Sequence, residues 1–283
     1  MKGWVYVITN RAMPSMVKVG FSTKDPDLRA NELNHTGSPH PYRVEYEALV
    51  EEPYTIEQKT HQLLSLTREG KEWFNCSVVV AIAAIKQIAG KGIIHEALKD
   101  VDTQHILGLM YFTGQGVPKD EEEAVRWFRL AANQGHAGAQ ANLGVMYSNG
   151  CGVLKDEEEA ARWFRRAADQ GDANAQYSLG VIYSSGQCVP KDEKEAVRWV
   201  RLAADQGYAS GQIGLGTMYY KGQGVPKDEK EAARWFHLAA DQGKAEAQYN
   251  LGVMYSNGCG VVKNENEATR WFRLAADQGY AKN

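Results

Sequence analysis

The Leu-Gly pair recurs five times at one spacing, as Leu107-Gly108, Leu143-Gly144, Leu179-Gly180, Leu215-Gly216 and Leu251-Gly252, each 36 residues after the last. Trp127, Trp163, Trp199, Trp235 and Trp271 keep the same step, and so do Gly135, Gly171, Gly207, Gly243 and Gly279. A fixed period held over five copies without a slip is the mark of a stacked repeat array. In such an array no single unit can bury its apolar face alone, so neighbours must cover one another.

Each copy reads as two helices. In the second copy one helix runs through AGAQANLGVMYSNG, NGCGVLKD turns the chain, and Asp156 opens the helix EEEAARWFRRAADQG. An Asp N-cap accepts from orphan backbone N–H groups, and Glu159 three residues on completes a capping-box pattern. The same pairing recurs as Asp120/Glu123, Asp192/Glu195, Asp228/Glu231 and Asn264/Glu267. The closing Gly of each copy suits the left-handed position past a helix end. Small residues such as Ala131, Ala132, Ala139 and Ala160 permit close helix approach, with Trp and Leu filling the space between. Ten helices in five pairs are predicted over 102–283, with the Trp271 face of the last pair open to another chain.

The pattern A-x-x-x-LG-x-MY-x-x-G-x-GV-x-KD-x-x-EA-x-RWF-x-x-AA-x-Q-G resembles the Sel1-like repeats, relatives of the tetratricopeptide repeats. The resemblance runs from Asp102 to the C-terminus and implies a scaffold that binds a protein partner. The glycines of Gly114-Gln115-Gly116 and its copies invite a phosphate-loop reading. They follow a helix rather than a strand and recur in every unit, so they read as turn glycines. Cys76, Cys151, Cys188 and Cys259 form no C-x-x-C pair and no zinc-ligand set with histidine. Cys188 occupies a turn slot where the other copies have Gly.

The first 90 residues carry no 36-residue step. Trp4–Ile8 is a β-branched and aromatic run, and Met16–Val19 a second, so they predict an antiparallel hairpin. Asp25-Pro26-Asp27 opens a helix through Leu33, 35–41 is a loop, and Tyr42–Val50 alternates as a third strand. Thr55 with Gln58 reads as a capping box for a helix reaching Leu66, and Val78–Ile88 as a last helix. The order β-β-α-β-α-α is that of a small α+β domain over 1–90. Gly90-Lys91-Gly92 marks its boundary, and 91–101 reads as a linker to the all-α array.

The motifs Val5-Tyr6-Val7, Val17-Lys18-Val19-Gly20, Asp25-Pro26-x-x-Arg29, Glu57 with His61, and Glu72-Trp73-Phe74, in this order, resemble the GIY-YIG nuclease superfamily. The likeness is to its phage T5-derived and meiotically up-regulated branch, and it covers about the first 80 residues. Lys18 stands where most of the superfamily has Tyr, and Asn75 is the one candidate for its late Asn. The resemblance implies an endonuclease that hydrolyses DNA phosphodiesters with Mg²⁺ or Mn²⁺. It implies catalytic roles for Tyr6, Lys18, Arg29, Glu57 and His61, with Glu57 as the metal ligand.

Elementary chemistry is compatible with those roles. Attack on phosphorus needs a proton acceptor for water, cationic stabilisation of the developing charge and usually a divalent ion. Glu57 offers a hard oxygen, Arg29 a planar fork for phosphate oxygens, and Tyr6 and Lys18 groups that can meet across a hairpin. His61 lies one helical turn after Glu57 and can orient it or shuttle a proton. Each residue also has an ordinary alternative. Tyr6 suits a strand core, Lys18 a protected edge, Arg29 an ion pair with Asp25, and Glu57 a solvated first turn. His35 and His40 take no role.

Charge is a mild guide. Residues 1–43 carry +3, 44–100 carry −3 and the array −3. A basic face near the hairpin is compatible with salt-sensitive nucleic-acid binding, but there is no strong basic stripe. The longest apolar run, Val78 to Ile85, is far short of the roughly 20 residues of a membrane span. The start MKGWVYVITN has no apolar segment of a signal peptide. The expected protein is cytoplasmic, without a membrane association, and homo-oligomerisation is left open. An endonuclease targeted by a protein-binding array is expected, with an inactive nuclease-like interaction protein as the alternative. A chain ending near Gly90 is expected to keep the chemistry.

Overall fold

The computed structural model describes residues 2–10, 13–34, 42–69, 73–90, 93–98 and 100–280. His35, His40 and Glu72 lie outside these. The chain divides into two compact units, Met1–His136 and Ala137–Asn283.

The first unit is built on a six-stranded sheet. Its strands are β1 (Gly3–Asn10), β2 (Met13–Ser22), β3 (Tyr42–Val50), β4 (Arg68–Glu69), β5 (Trp73–Phe74) and β6 (Ile93–Leu98). Their order is β4-β5-β2-β1-β3-β6, with every adjacent pair antiparallel. The helices are α1 (Pro26–Asn34), α2 (Pro53–Leu63) and α3 (Val78–Ala89), followed by α4 (Val101–Thr113) and α5 (Glu121–Asn133) of the first repeat. β1 lies at the centre, and Val5 and Val7 are fully buried. Directly opposed residues of an antiparallel pair share a face. Tyr6 and Ile8 therefore share one with Gly20 and Lys18. There α1 closes a small core of Tyr6, Ile8, Ala30 and Val44.

Three expectations are corrected. The sheet has six strands rather than three, because β4, β5 and β6 add to its edges. Residues 91–101, read as a linker, contain β6, which pairs with β3 from Tyr46↔Leu98 to Val50↔Ile93. And α2 starts at Pro53, with no side-chain cap, so Thr55 lies inside it. The fixed φ of Pro at the first helical turn starts the helix before the Thr-x-x-Gln pattern can.

β6 also brings a buried charge to the repeat that follows. Glu96 Oε2 accepts from the Tyr46 hydroxyl at 2.8 Å, and Glu96 Oε1 from Lys86 Nζ at 3.0 Å. Lys86 also reaches Glu123 of α5 at 2.6 Å, and Arg126 pairs with both carboxylates. The Lys86 ammonium sits 4.7 Å from the Trp127 ring centroid. Burial draws its pKa down to about 8, against the pull of Glu123. Gln104 of α4 donates to the Leu98 carbonyl. The first repeat is thus tied to the sheet by groups that would otherwise be buried and unpaired.

The second unit holds four helix pairs: α6 (Ala137–Asn149) with α7 (Glu157–Asp169), α8 (Ala173–Ser185) with α9 (Glu193–Asp205), α10 (Ala209–Lys221) with α11 (Glu229–Asp241), and α12 (Ala245–Asn257) with α13 (Glu265–Ala276). Asp156 Oδ1 accepts from the Glu159 N–H at 2.9 Å, and Asp192, Asp228 and Asn264 cap alike. The capping box is one-sided. The Asp156 N–H donates to the Tyr147 carbonyl of the preceding helix, so Glu159 turns to Arg162. Gly144 is required by close packing: a Cβ there would lie 2.6 Å from the Phe164 ring. A second internal device is a pair of glutamines in every repeat. Buried Gln140, Gln176, Gln212 and Gln248 each accept from a Gln thirty residues on, as Gln176 Oε1 does from Gln206 Nε2 at 2.8 Å. Cys188 takes the turn at φ 59°, the left-handed conformation its glycine counterparts adopt. Trp271, expected to be open, is buried against Phe236, Leu251 and Met254.

Candidate active site

Lys18, Arg29 and Glu57 all act on the charge of the buried Tyr6 phenol. Register places Tyr6 opposite Gly20 and Lys18 opposite Ile8, so the phenol lies one step diagonally from the lysine on the same face. Arg29, on α1 over that face, acts electrostatically on the Tyr6 hydroxyl. Burial pushes the Tyr6 pKa up; Lys18 and Arg29 pull against it, Glu57 adds to the rise, and the net shift is upward. At neutral pH the phenol is therefore protonated, with both cations positioned to stabilise it if it ionises.

Gly20 makes room for this arrangement. A Cβ at that position would come 2.7 Å from the Tyr6 ring end. The motif around Lys18 was legible in sequence, but the reason for its glycine was not, because it lies across the hairpin. Gly20→Ala is expected to displace the phenol and lower the melting temperature by a few degrees, an overpacking cost of about 1–3 kcal/mol. Thermal melts measure the effect, and a Gly20→Ala protein that melts with the wild type would show that the Tyr6 ring gives way to the added methyl group without cost.

Arg29 is half exposed. Its ion-pair partner is Glu32 at 2.9 Å, which also takes Lys24 at 3.0 Å. The pairing expected with Asp25 is not the one formed. Asp25 accepts instead from the backbone N–H of Asp27 and Arg29 at the start of α1. Lys24 and Arg29 hold the Glu32 carboxylate below its usual range, and Glu32 raises Arg29 in turn. Glu32 was not singled out from sequence, although its spacing of three after Arg29 on a helix is a readable signal.

Glu57 and His61 stand one turn apart on α2, with Glu57 Oε1 4.0 Å from His61 Nε2 and both side chains largely buried. His61 Nε2 lies 2.9 Å from the Val19 carbonyl and must donate to it, since a carbonyl only accepts. Its ring also packs on Phe74 at 5.0 Å. This anchors α2 against β2 just beyond the end of β5, and the proton at Nε2 is committed to Val19. Asn75 is exposed, and its N–H donates to the Thr67 carbonyl.

Glu57 is the one carboxylate of the constellation whose neighbours are Tyr6, His61 and, at 3.3 Å, Gln58. Among the described residues no group of three or more His, Cys, Asp or Glu could hold a metal ion. That donor set does not suit Zn²⁺ or Ca²⁺, which need three or more protein ligands. It suits Mg²⁺, which keeps most of its waters and takes one or two carboxylates plus phosphate oxygens. Among the described residues no helix is long and apolar enough to cross a membrane.

Comparison with known proteins agrees with both halves. Residues 3–89 match the T5orf172 domain. Residues 101–136, 137–172, 173–208, 209–244 and 245–280 each match the Sel1 repeat. No curated protein matches the chain. Among solved structures, a Sel1 repeat protein from Oxalobacter formigenes is 36% identical with a TM-score of 0.61, over 64% of this chain and 72% of that one. A protective antigen with an SLR fold, present in uropathogenic Escherichia coli strains, is 34% identical with a TM-score of 0.61, over 81% of this chain and 47% of its own. The chain belongs to the Sel1 repeat family, and its repeats follow a T5orf172 domain, a GIY-YIG-like, phage-type member of the nuclease-related domains.

Proposed function

We propose that the N-terminal domain is a metal-dependent DNA endonuclease and that the Sel1 repeats bind the protein partner that brings it to its target. The observation that carries this reading is a buried Tyr6 phenol with Lys18 one diagonal step away on the same sheet face and α1, which bears Arg29, packed over that face, while Arg29 and Glu57 also act on its charge. No single one of these residues would justify it, since each has an ordinary role elsewhere in proteins. Together with Tyr6 they supply the groups phosphodiester hydrolysis requires, on four separate elements.

In this reading Glu57 holds Mg²⁺ or Mn²⁺, whose chemistry when bound is to draw charge from the phosphate and acidify water. His61 positions Glu57 through its bond to Val19. Arg29 and Lys18 neutralise the non-bridging phosphate oxygens, with Arg29 exchanging Glu32 for the substrate. Tyr6, ionised to the phenolate that Arg29 and Lys18 stabilise, orients the attacking water and takes its proton, returning to the neutral phenol; as the new bond to phosphorus forms, the P–O bond to the leaving sugar oxygen breaks and that oxygen takes a proton from solvent.

A nicking assay on supercoiled DNA, with Mg²⁺, Mn²⁺ or chelator, tests the proposal. Cleavage is expected with either metal and not with chelator. Because the Tyr6 pKa is raised, the phenolate is a minor species that grows with pH. The rate should climb by about tenfold per pH unit through the neutral range. A folded protein that nicks with neither metal is a binding module instead.

A further inference from the structure

The face that holds Tyr6 and Lys18 continues onto β5. Lys18 lies directly opposite Trp73, as Ile8 lies opposite Lys18, so the three side chains stand in one row across β1, β2 and β5. Neighbouring strands are about 4.8 Å apart. The Trp73 ring therefore begins one strand from the lysine, a separation on the scale of a phosphate and the base beside it. The indole does not sink into the sheet. It stacks on the Tyr42 ring, with centroids 6.1 Å apart and planes 23° from parallel. Tyr42 in turn rests on the small core of Tyr6, Ile8, Ala30 and Val44. Both rings keep part of their surface in solvent. A rigid aromatic pair, supported from below and flanked by a cation, is the arrangement with which proteins hold unpaired nucleobases: the ring takes the base and the cation the phosphate.

We propose that Trp73, backed by Tyr42, is a stacking platform for an unpaired base next to the phosphate bound by Lys18. The domain would then engage single-stranded or locally opened DNA in preference to intact duplex. This rests on the nuclease-type reading of the site and adds the form of its substrate.

The test measures binding without turnover, using the full chain carrying Glu57→Gln. Three fluorescent probes of one length are compared at fixed salt: an oligo-dT strand, a strand of abasic residues with the same phosphates, and a duplex. The oligo-dT strand is expected to bind most tightly, with the abasic strand weaker by about tenfold or more. Adding Trp73→Ala should lower oligo-dT affinity to the abasic level, and Trp73→Phe should retain most of it. The abasic probe makes the test independent of whether Trp73→Ala folds. Equal affinity of the parent protein for the oligo-dT and abasic strands would overturn the proposal. So would a folded Trp73→Ala protein that loses nothing, or that loses duplex and single strand alike, since Trp73 and Tyr42 would then only cover the core. No binding to any probe overturns this proposal together with the DNA reading. Trp73-dependent strand binding by a protein whose wild type does not nick keeps the platform and removes the catalysis.

Discussion

Glu57→Gln is expected to lower Mg²⁺-dependent nicking by roughly 10²–10³-fold or more while leaving DNA binding and the melting temperature close to wild type. The substitution keeps the shape of the side chain, its contact with Gln58 and its place one turn before His61. The fold should therefore be retained. It removes the negative charge that would hold the metal. Arg29→Ala gives a contrasting profile: it should weaken cleavage and binding together, because the half-exposed guanidinium would contact phosphate in the ground state. Steady-state nicking, fluorescence anisotropy and thermal melts separate the two. A Glu57→Gln protein that nicks at the wild-type rate sinks the metal assignment.

A chain ending at Gly90 is expected not to fold, whereas one ending at His136 should unfold cooperatively. This revises the expectation that the first 90 residues retain the chemistry on their own. Ending at Gly90 removes β6, so β3 loses its pairing from Tyr46 to Val50. It also removes Glu96 and Glu123 together with Tyr111 and Trp127, whose rings cover the Lys86 ammonium, so the buried ion-pair cluster and the packing over α3 are lost together. A domain is stabilised by only roughly 5–15 kcal/mol, so losing a paired strand and the packing over α3 is a large fraction of it. Urea melts of chains ending at 90, 100 and 136 decide it. A cooperative transition for the shortest of them would show that α3 and the sheet tolerate the loss. The practical consequence is that nuclease assays on an isolated domain should use the chain through His136.

How much of this was legible in advance follows from how far each signal travels along the chain. The ten repeat helices were readable because their determinants are local and recur: an Asp or Asn cap, a run of Ala and Trp, a glycine at the end, all inside one 36-residue period. The hairpin, α1 and β3 were readable from short runs of alternating or β-branched residues. Two-residue strands such as β4 and β5 carry no alternation to detect. β6 looks like a linker after Gly90 because its partner, β3, lies more than forty residues earlier, and no local pattern reports a distant edge. The candidate site divides in the same way. Tyr6, Lys18, Arg29, Glu57 and His61 could be named from motifs in order along the chain. Only the tertiary structure decided that Gly20 opens space for the Tyr6 ring, that Arg29 pairs with Glu32, that His61 is bonded to Val19, and that Trp73 stands beside Lys18. Helix capping and periodicity are properties of neighbours in sequence, whereas strand register and buried charge partners exist only once the sheet has brought distant segments together.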